Sequence, residues 1–371
     1  MLLCRDAVES LTRSILLKPV FREVCTRCSP GMLGLVILLL LACSPASAPA
    51  SRPTGPGTLY VVNEASNGVS VIDTATNAVS TTLQVSGRPQ GIALTANGKF
   101  LYITQGELGA VAVIETGSNQ VVASIPVGRD PQAIAVSRDG SRGYVTNYES
   151  NNLTVLDLVA RKALAFIPVG ANPQAVALSF RGDTAYVVNL RSNSVSVVET
   201  ASGRVKDTIP AGEGPCGIAL TADGNYAYVG GHGRVEGMAA SGGLGGAPGS
   251  EATLGTGPNK DVRILNLGTK KIDAAVSCGA MPIAVALSSD AKAYVINHGS
   301  GDISVVDVNS RKVLDTIQVG KNPSGVALSN DGRRIYVSLT DENAVAVIDA
   351  GSRKVAATIP VGEGPKGMAL R

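Results

Sequence analysis

The chain has 371 residues, 44% of them hydrophobic, and a formal net charge of only +3. Residues 1–42 hold five basic and three acidic side chains, so the remainder carries 27 basic and 26 acidic ones. A mean charge this close to zero gives no support for binding a polyanion, and we expect no nucleic-acid partner.

We predict that the N-terminal segment, residues 1–42, is an export signal. Its apolar run MLGLVILLLLA, residues 32–42, is too short to span a bilayer but has the length of a signal-peptide core. The run ends in Leu40-Leu41-Ala42-Cys43, which resembles the lipobox of bacterial lipoproteins. The resemblance implies a lipid on Cys43 and anchoring to the cell envelope, at the outer membrane or periplasmic side in a Gram-negative host.

A Pro/Ala/Ser-rich tether, residues 43–57, follows the signal. This composition disfavours the alternative, in which the apolar run is a buried helix of a cytosolic protein. Beyond the tether only Cys216 and Cys278 remain. Outside the cytoplasm these two cysteines can form a disulfide, provided that the fold brings their Cα atoms within bridging distance.

Residues 58–371 are built from a repeat of about 42 residues. Two markers recur seven times each, and the tyrosine marker stands at Tyr60, Tyr102, Tyr144, Tyr186, Tyr228, Tyr294 and Tyr336. The proline marker stands at Pro89, Pro131, Pro173, Pro215, Pro282, Pro323 and Pro365. Each repeat holds four short β-branched runs bounded by turn residues, which predicts four antiparallel strands.

We therefore predict an all-β fold, a seven-bladed β-propeller of four-stranded blades. The first repeat begins at a second strand, TLYVVN, and the last residues, KGMALR, form a first strand. The C-terminal strand is thus expected to complete the N-terminal blade and close the ring, which removes the exposed sheet edges. NG and DG pairs, such as Asn97-Gly98, predict tight hairpins between the first and second strands.

The repeated motifs carry a family resemblance. YVVNEASNGVSVID, YVTNYESNNLTVLD and IPVGANPQAVALS are similar to the YVTN-type seven-bladed propellers, which are secreted or surface proteins of bacteria and archaea. Relatives include surface-layer and periplasmic propellers and, more distantly, the haem-binding propeller of a nitrite reductase. The resemblance covers 58–371 and implies the fold; one propeller scaffold hosts many functions.

A site is expected at one end of the channel. We call the strands of each blade A to D from the axis outwards. The D–A connections and the B–C loops then open on one face, where propellers usually bind ligands; we call this the mouth face. His232 and His298, the only two histidines, each stand four residues after a marker tyrosine, in the B–C loops of adjacent blades.

The two histidines permit alternative interpretations. They are either two solvated loop residues or a ligand pair for a transition metal or a haem. The first is simpler, because two imidazoles without nearby carboxylates make a poor metal site, and we predict no cofactor. Asn297 beside them, and Gln90, Gln132 and Gln174 after the marker prolines, either line a polar small-molecule site or brace the loops.

A glycine-rich insertion, residues 232–258, enlarges the B–C loop of the blade that contains Tyr228. Nine of its 27 residues are glycine, which disfavours a packed subdomain. It serves either as a partner-binding arm over the channel mouth or as a tolerated surface insertion.

Other repeated side chains have structural interpretations. An acidic residue stands thirteen positions after six of the seven marker tyrosines, and Asn266 fills that place in the interrupted blade. These side chains predict caps of the C–D turns, because a catalytic carboxylate would not recur around a ring. Basic residues in five of the C–D turns form a positive rim that either attracts a polyanion or keeps blades from associating.

No nucleophile–base motif and no phosphate loop is present. We therefore expect a non-enzymatic, monomeric, lipid-anchored module that binds a protein or an envelope polymer through the mouth face. The alternative is an enzyme or redox accessory, lactonase-like or metal- or haem-binding, with a small ligand at the channel mouth.

Overall fold

A computed structural model describes residues 57–233 and 259–371. Within these ranges the chain forms seven four-stranded antiparallel sheets, which confirms the predicted propeller. The signal, Cys43, residues 43–56 of the tether and residues 234–258 of the insertion lie outside the described residues. None of the described helices has the length and apolar character needed to cross a membrane.

The strands fall into four sets of seven according to their distance from the axis. The A strands are β4 (Pro89–Leu94), β8 (Pro131–Val136), β12 (Pro173–Leu178), β16 (Pro215–Leu220), β20 (Pro282–Leu287), β24 (Pro323–Leu328) and β28 (Pro365–Leu370). The B strands are β1 (Thr58–Asn63), β5 (Phe100–Gln105), β9 (Arg142–Asn147), β13 (Thr184–Asn189), β17 (Tyr226–Gly231), β21 (Lys292–Asn297) and β25 (Arg334–Leu339).

The outer strands complete each blade. The C strands are β2 (Gly68–Asp73), β6 (Ala110–Glu115), β10 (Asn152–Asp157), β14 (Ser194–Glu199), β18 (Asp261–Asn266), β22 (Asp302–Asp307) and β26 (Ala344–Asp349). The D strands are β3 (Ala78–Gln84), β7 (Gln120–Pro126), β11 (Lys162–Pro168), β15 (Arg204–Pro210), β19 (Lys271–Ser277), β23 (Lys312–Gln318) and β27 (Lys354–Pro360). A short 3-10 helix, Thr340–Glu342, lies in the last B–C loop.

The ring closes as predicted. Strand β28 pairs antiparallel with β1, with Leu370 opposite Leu59 and Ala369 opposite Tyr60. Blade 1 therefore consists of β28, β1, β2 and β3, and blades 2 to 7 follow in chain order. The last residue adds one more bond, from the Arg371 amide to the Thr58 carbonyl at 2.9 Å.

The core lies between neighbouring blades rather than within one sheet. The B and C strands are flanked on both faces, so their valines, isoleucines and leucines are almost all fully buried. One such layer joins Val62 and Val69 of blade 1 to Leu101 and Ile103 of blade 2. The D strands form the outer wall and leave side chains such as Val121 and Phe166 about half exposed.

The hairpins between A and B strands differ from the predicted tight turns. The connection from Leu94 to Phe100 holds five residues, and of the NG pair only Gly98 has a positive φ, of 68°. Asn97 keeps a negative φ, and its side chain accepts the Lys99 amide at 3.0 Å. The longer loop lets the side chain cap the turn, so the two-residue geometry is not needed.

The aspartates and the asparagine before the C–D turns cap them as predicted, whereas Glu115 and Glu199 accept the hydroxyls of Ser118 and Ser202. Asp73 Oδ1 accepts the amides of Ala75 at 2.7 Å and of Thr76 at 3.3 Å, and thereby caps the first C–D turn. Asn266 makes the equivalent bonds in blade 5 at 3.0 and 2.9 Å. The marker tyrosines pack between blades, and the Tyr228 hydroxyl donates to the Val308 carbonyl at 3.3 Å.

Candidate functional site

Seven equivalent hydrogen bonds build the mouth face. In every blade, the amide four residues after the marker tyrosine donates to the carbonyl just before the marker proline, over 2.9–3.1 Å. The donors are Glu64, Gly106, Tyr148, Leu190, His232, His298 and Thr340. The acceptors are Gly364, Arg88, Asp130, Asn172, Gly214, Met281 and Asn322. A B–C loop is thus fixed to a D–A connection in each blade.

The acceptor residues share a left-handed backbone, with φ between 48° and 65° in all seven. Five of them are Asp, Asn or Gly, the residue types that tolerate this conformation best. Arg88 and Met281 are the exceptions, with φ of 56° and 55°. A non-glycine residue in this region costs about 1 kcal/mol or more. The backbone is therefore strained at two residues of the mouth, Arg88 and Met281.

The structure places both histidines where the sequence predicts, in equivalent loops of blades 5 and 6. His232 is only 7% exposed. Burial, and then the nearby His298 imidazole, lower the pKa of His232 to about 4. His232 is therefore neutral and buried, and the simpler interpretation of a solvated loop residue is wrong for it. The reason is that neighbouring residues cover its loop.

His298 is half-buried and held in one orientation. Its ring faces the Pro323 carbonyl, with Nδ1 3.0 Å from that oxygen. A carbonyl only accepts, so Nδ1 carries a proton and donates it to this contact. The described residues contain no group of three or more His, Cys, Asp or Glu side chains arranged to hold a metal ion.

Cys216 and Cys278 are free thiols, so the disulfide considered from the sequence is not formed. Cys216 lies on innermost strand β16, and Cys278 follows outermost strand β19 of the same blade. Three strand spacings, about 14 Å, separate such positions, and this exceeds the span of a disulfide. Burial raises the pKa of Cys216 to about 12 and that of Cys278 to about 11.

Asn297 belongs to the bracing of the loops. It is fully buried, and its Nδ2 donates to Asp302 at 2.6 Å and to Ser304 at 2.8 Å. The same pattern recurs at Asn63, Asn147 and Asn189. These side chains also explain a glycine in the D–A connection, because a Cβ on Gly279 would lie 2.7 Å from Asn297 Nδ2.

The post-proline glutamines lie where adjacent A strands meet. The Thr104 hydroxyl accepts the Gly91 amide at 2.7 Å and donates to the Gln132 carbonyl of the next blade at 3.2 Å. Thr146 makes the corresponding longer contact, 3.5 Å, with the Gln174 carbonyl. The backbones of the glutamines are thus fixed between blades, and Gln174 Oε1 is buried without a hydrogen-bond partner among the described residues.

An ion pair that the sequence analysis missed lies in the same face. Arg88 Nη2 bonds to Asp130 Oδ1 at 2.5 Å, and Asp130 is only 5% exposed. Burial raises the pKa of Asp130, Arg88 lowers it, and Glu149 raises it again. Both residues directly precede a marker proline in consecutive blades, so an alignment of the repeats places them at equivalent positions, and the structure shows that they pair.

The opposite face carries less unpaired positive charge than the basic residues of its C–D turns indicate. Three of these residues pair with an aspartate on the D strand of the preceding blade: Lys270 with Asp207, Arg311 with Asp273 and Arg353 with Asp315. The rim is therefore partly neutralised by contacts between blades. A groove of about 560 Å³ on this face lies between blades 3 and 4 and is lined by Arg138, Arg142, Phe180 and Arg181.

Solved structures with this fold include three of interest. A chain of Kuenenia stuttgartiensis hydrazine synthase is 22% identical, with a TM-score of 0.69 over 83% of this chain and 99% of that one. A functionally unknown protein from Desulfotomaculum acetoxidans is 16% identical, with a TM-score of 0.69 and coverages of 84% and 98%. Dihydro-heme d1 dehydrogenase NirN in complex with DHE is 14% identical, with a TM-score of 0.60 and coverages of 95% and 88%.

These identities establish a shared fold and nothing finer. A scan against protein-family models found no match, and a search of curated proteins found none either.

Proposed function

We propose that this chain is an exported, lipid-anchored propeller that binds a protein or an envelope component through its mouth face. The observation that carries the proposal is the set of seven equivalent backbone bonds at the mouth. They hold seven positions in one geometry, yet the side chains there range from Gly106 to Tyr148 and His298. A fixed backbone with varied side chains is the arrangement expected of a recognition surface.

The motifs quoted above support membership of the YVTN-type propellers, and the lipobox-like sequence before Cys43 supports export and lipidation. We propose both on sequence grounds. Mass spectrometry of the protein purified from its native membrane tests the second, because a lipidated mature chain begins at Cys43.

The experiment for the main proposal compares the two faces of the ring. The lipidated protein is crosslinked in its native membranes and captured, and two variants are treated in parallel. Tyr148→Ala and Leu190→Ala are combined to alter the mouth face, and Phe180→Ala alters the opposite face, where this side chain is 72% exposed. We expect a component that the wild type and the Phe180 variant retain and the mouth variant loses. Equal retention by all three would refute the proposal.

A deletion of residues 234–258 adds a test of the insertion. Its described ends are already joined, because the Asn259 side chain donates to the Gly231 carbonyl at 2.9 Å. A Cβ on Gly233 would lie 3.1 Å from the Asn259 amide nitrogen, so the two ends can be connected directly. If this folded variant no longer captures the component, the insertion serves as a partner-binding arm.

A small ligand held by the histidines is the second candidate. His232 is neutral at physiological pH, and Nδ1 of His298 is fixed on a backbone carbonyl, as in many metal-ligating histidines. Two imidazoles fall short of the four ligands of a structural zinc site, whereas a single one suffices as an axial haem ligand. The likeness to NirN adds only a fold-level reason to test haem.

Titration with haem, followed by absorbance, separates the two candidates. Stoichiometric binding with a histidine-ligated spectrum that disappears in His298→Ala would favour the second candidate. An unchanged haem spectrum at all ratios would remove it.

A further inference from the structure

The Arg88–Asp130 pair leaves two strong hydrogen-bonding groups unused. Asp130 Oδ1 accepts a hydrogen bond from Arg88 Nη2, whereas Asp130 Oδ2 is buried and has no hydrogen-bond partner among the described residues. Arg88 Nε is buried and likewise lacks a partner in that part of the chain. A buried polar group without a partner destabilises the fold, more so when it is charged. These two atoms offer one acceptor and one donor on the two partners of a single ion pair.

The pair lies at the channel mouth, in the place of a missing side chain. Gly106 occupies the loop position that carries a side chain in each of the other six blades. A Cβ there would come within 2.9 Å of Arg88 Nη2 and 3.0 Å of Asp130 Oδ1. The strained left-handed backbone of Arg88 is part of this arrangement. The pair combines a left-handed backbone at Arg88 with unmet hydrogen-bonding groups on two charged side chains, and such strain is characteristic of functional sites.

The surroundings are polar and balanced in charge. Besides burial, the charges of Arg88, Glu149 and Glu64 act on the pKa of Asp130. Glu64 itself forms an ion pair with Lys366 at 2.5 Å. With Arg191, which hydrogen-bonds the half-buried Tyr148, the sector holds three positive and three negative groups.

Amide groups extend the site. The Gln132 side chain is close enough to Asp130 to lower the pKa of that carboxyl, and Gln174 Oε1 is a second buried acceptor without a partner among the described residues. A strongly charged ligand would upset the balance of charge, and an apolar one would leave these groups unsatisfied.

We infer that this sector, formed by Arg88, Asp130, Tyr148 and Gln174, binds a neutral, hydroxyl-rich ligand, that is, a saccharide. One ligand hydroxyl donates to Asp130 Oδ2 and another to Gln174 Oε1, while a ligand oxygen accepts from Arg88 Nε. The Tyr148 ring offers an apolar surface for the C–H face of a sugar ring. The inference rests on the proposed binding function of the mouth face and names the ligand class for one sector of it.

The test uses the full chain in detergent and three disaccharides of similar size and different charge. They are di-N-acetylchitobiose, which is neutral, the glucosamine dimer, which is cationic, and digalacturonate, which is anionic. Saturation-transfer NMR detects binding, and calorimetry gives Kd. We expect the neutral dimer to bind most tightly.

Two variants locate the site. Asp130→Asn exchanges the charged acceptor for an amide donor and should weaken binding of the neutral dimer at least tenfold. Gln174→Leu removes an acceptor that bonds to nothing else among the described residues, so it should preserve the melting temperature and weaken binding severalfold. Asp341→Asn makes the same chemical change on the same face in blade 7 and should leave Kd unchanged.

Three results would overturn the inference: no binding of the neutral dimer, tighter binding of the cationic dimer, or a Kd that neither Asp130→Asn nor Gln174→Leu changes. If the crosslinking experiment still assigns a partner to the mouth face, the proposed function stands and only the ligand class is wrong.

Discussion

Acidification tests the burial of His232. The folded chain keeps this imidazole neutral down to a pH of about 4, whereas an unfolded chain protonates it below its ordinary pKa of 6.5. Between these two values the unfolded state binds the additional proton. Stability from this residue is therefore complete above pH 6.5 and decreases as the pH falls towards 4.

The magnitude follows from the separation of the two pKa values. One pKa unit corresponds to about 1.4 kcal/mol, so the full loss approaches roughly 3 kcal/mol. Between pH 7 and pH 5 the same relation gives a loss of about 2 kcal/mol. Urea unfolding of the wild type and of His232→Gln at these two pH values measures it. Carboxylates that titrate elsewhere contribute equally to both proteins and cancel in the difference.

We expect the free energy of unfolding of the wild type to fall by about 2 kcal/mol more than that of the variant over this range. His298→Gln is the matched control. It removes the smaller of the two causes of the shift and leaves the burial, so the decrease should persist but be reduced. Parallel pH profiles for the wild type and His232→Gln would refute the buried, neutral state of His232.

Three further predictions concern the ring. Deleting residues 366–371 removes the strand that covers β1 and should destabilise the fold by at least about 3 kcal/mol in denaturant unfolding, whereas deleting 44–56 should change it little; equal effects would contradict the closure. Gly91→Ala places a Cβ against the Gln132 carbonyl oxygen of the next blade and should cost about 1–3 kcal/mol in urea, whereas Ala133→Gly, the reverse change one blade on, should cost less than about 1 kcal/mol. Arg353→Ala breaks a half-exposed ion pair, so the free energy of unfolding should fall by no more than about 1 kcal/mol, and by less in high salt. A larger loss, or one that salt does not reduce, would contradict this expectation.

The repeat markers predict the architecture because a blade is a local unit. Four strands joined by short turns lie within about 42 residues, so the spacing of Tyr102 and Tyr144 already reports the geometry of a blade. The closure by β28 follows from counting the strands.

The candidate site depends on groups that only the three-dimensional ring brings together. Asp130 contacts Arg88 across two blades, and the aspartates that neutralise the basic rim stand on D strands that the charge pattern of the turns does not reveal. Nor does any residue preference indicate that Arg88 and Met281 adopt a left-handed backbone, since both types disfavour it. Tertiary contacts impose these features.

The closure by β28 has a mechanical consequence. Residue 57 directly precedes β1, and β1 is hydrogen-bonded on both sides, to β2 and to β28. A pull on the N-terminal side of the ring therefore loads two ladders of hydrogen bonds at once. An edge strand would peel off one bond at a time, whereas β1 leaves only if both ladders break. A propeller closed in this way is suited to bear tension through its first strand.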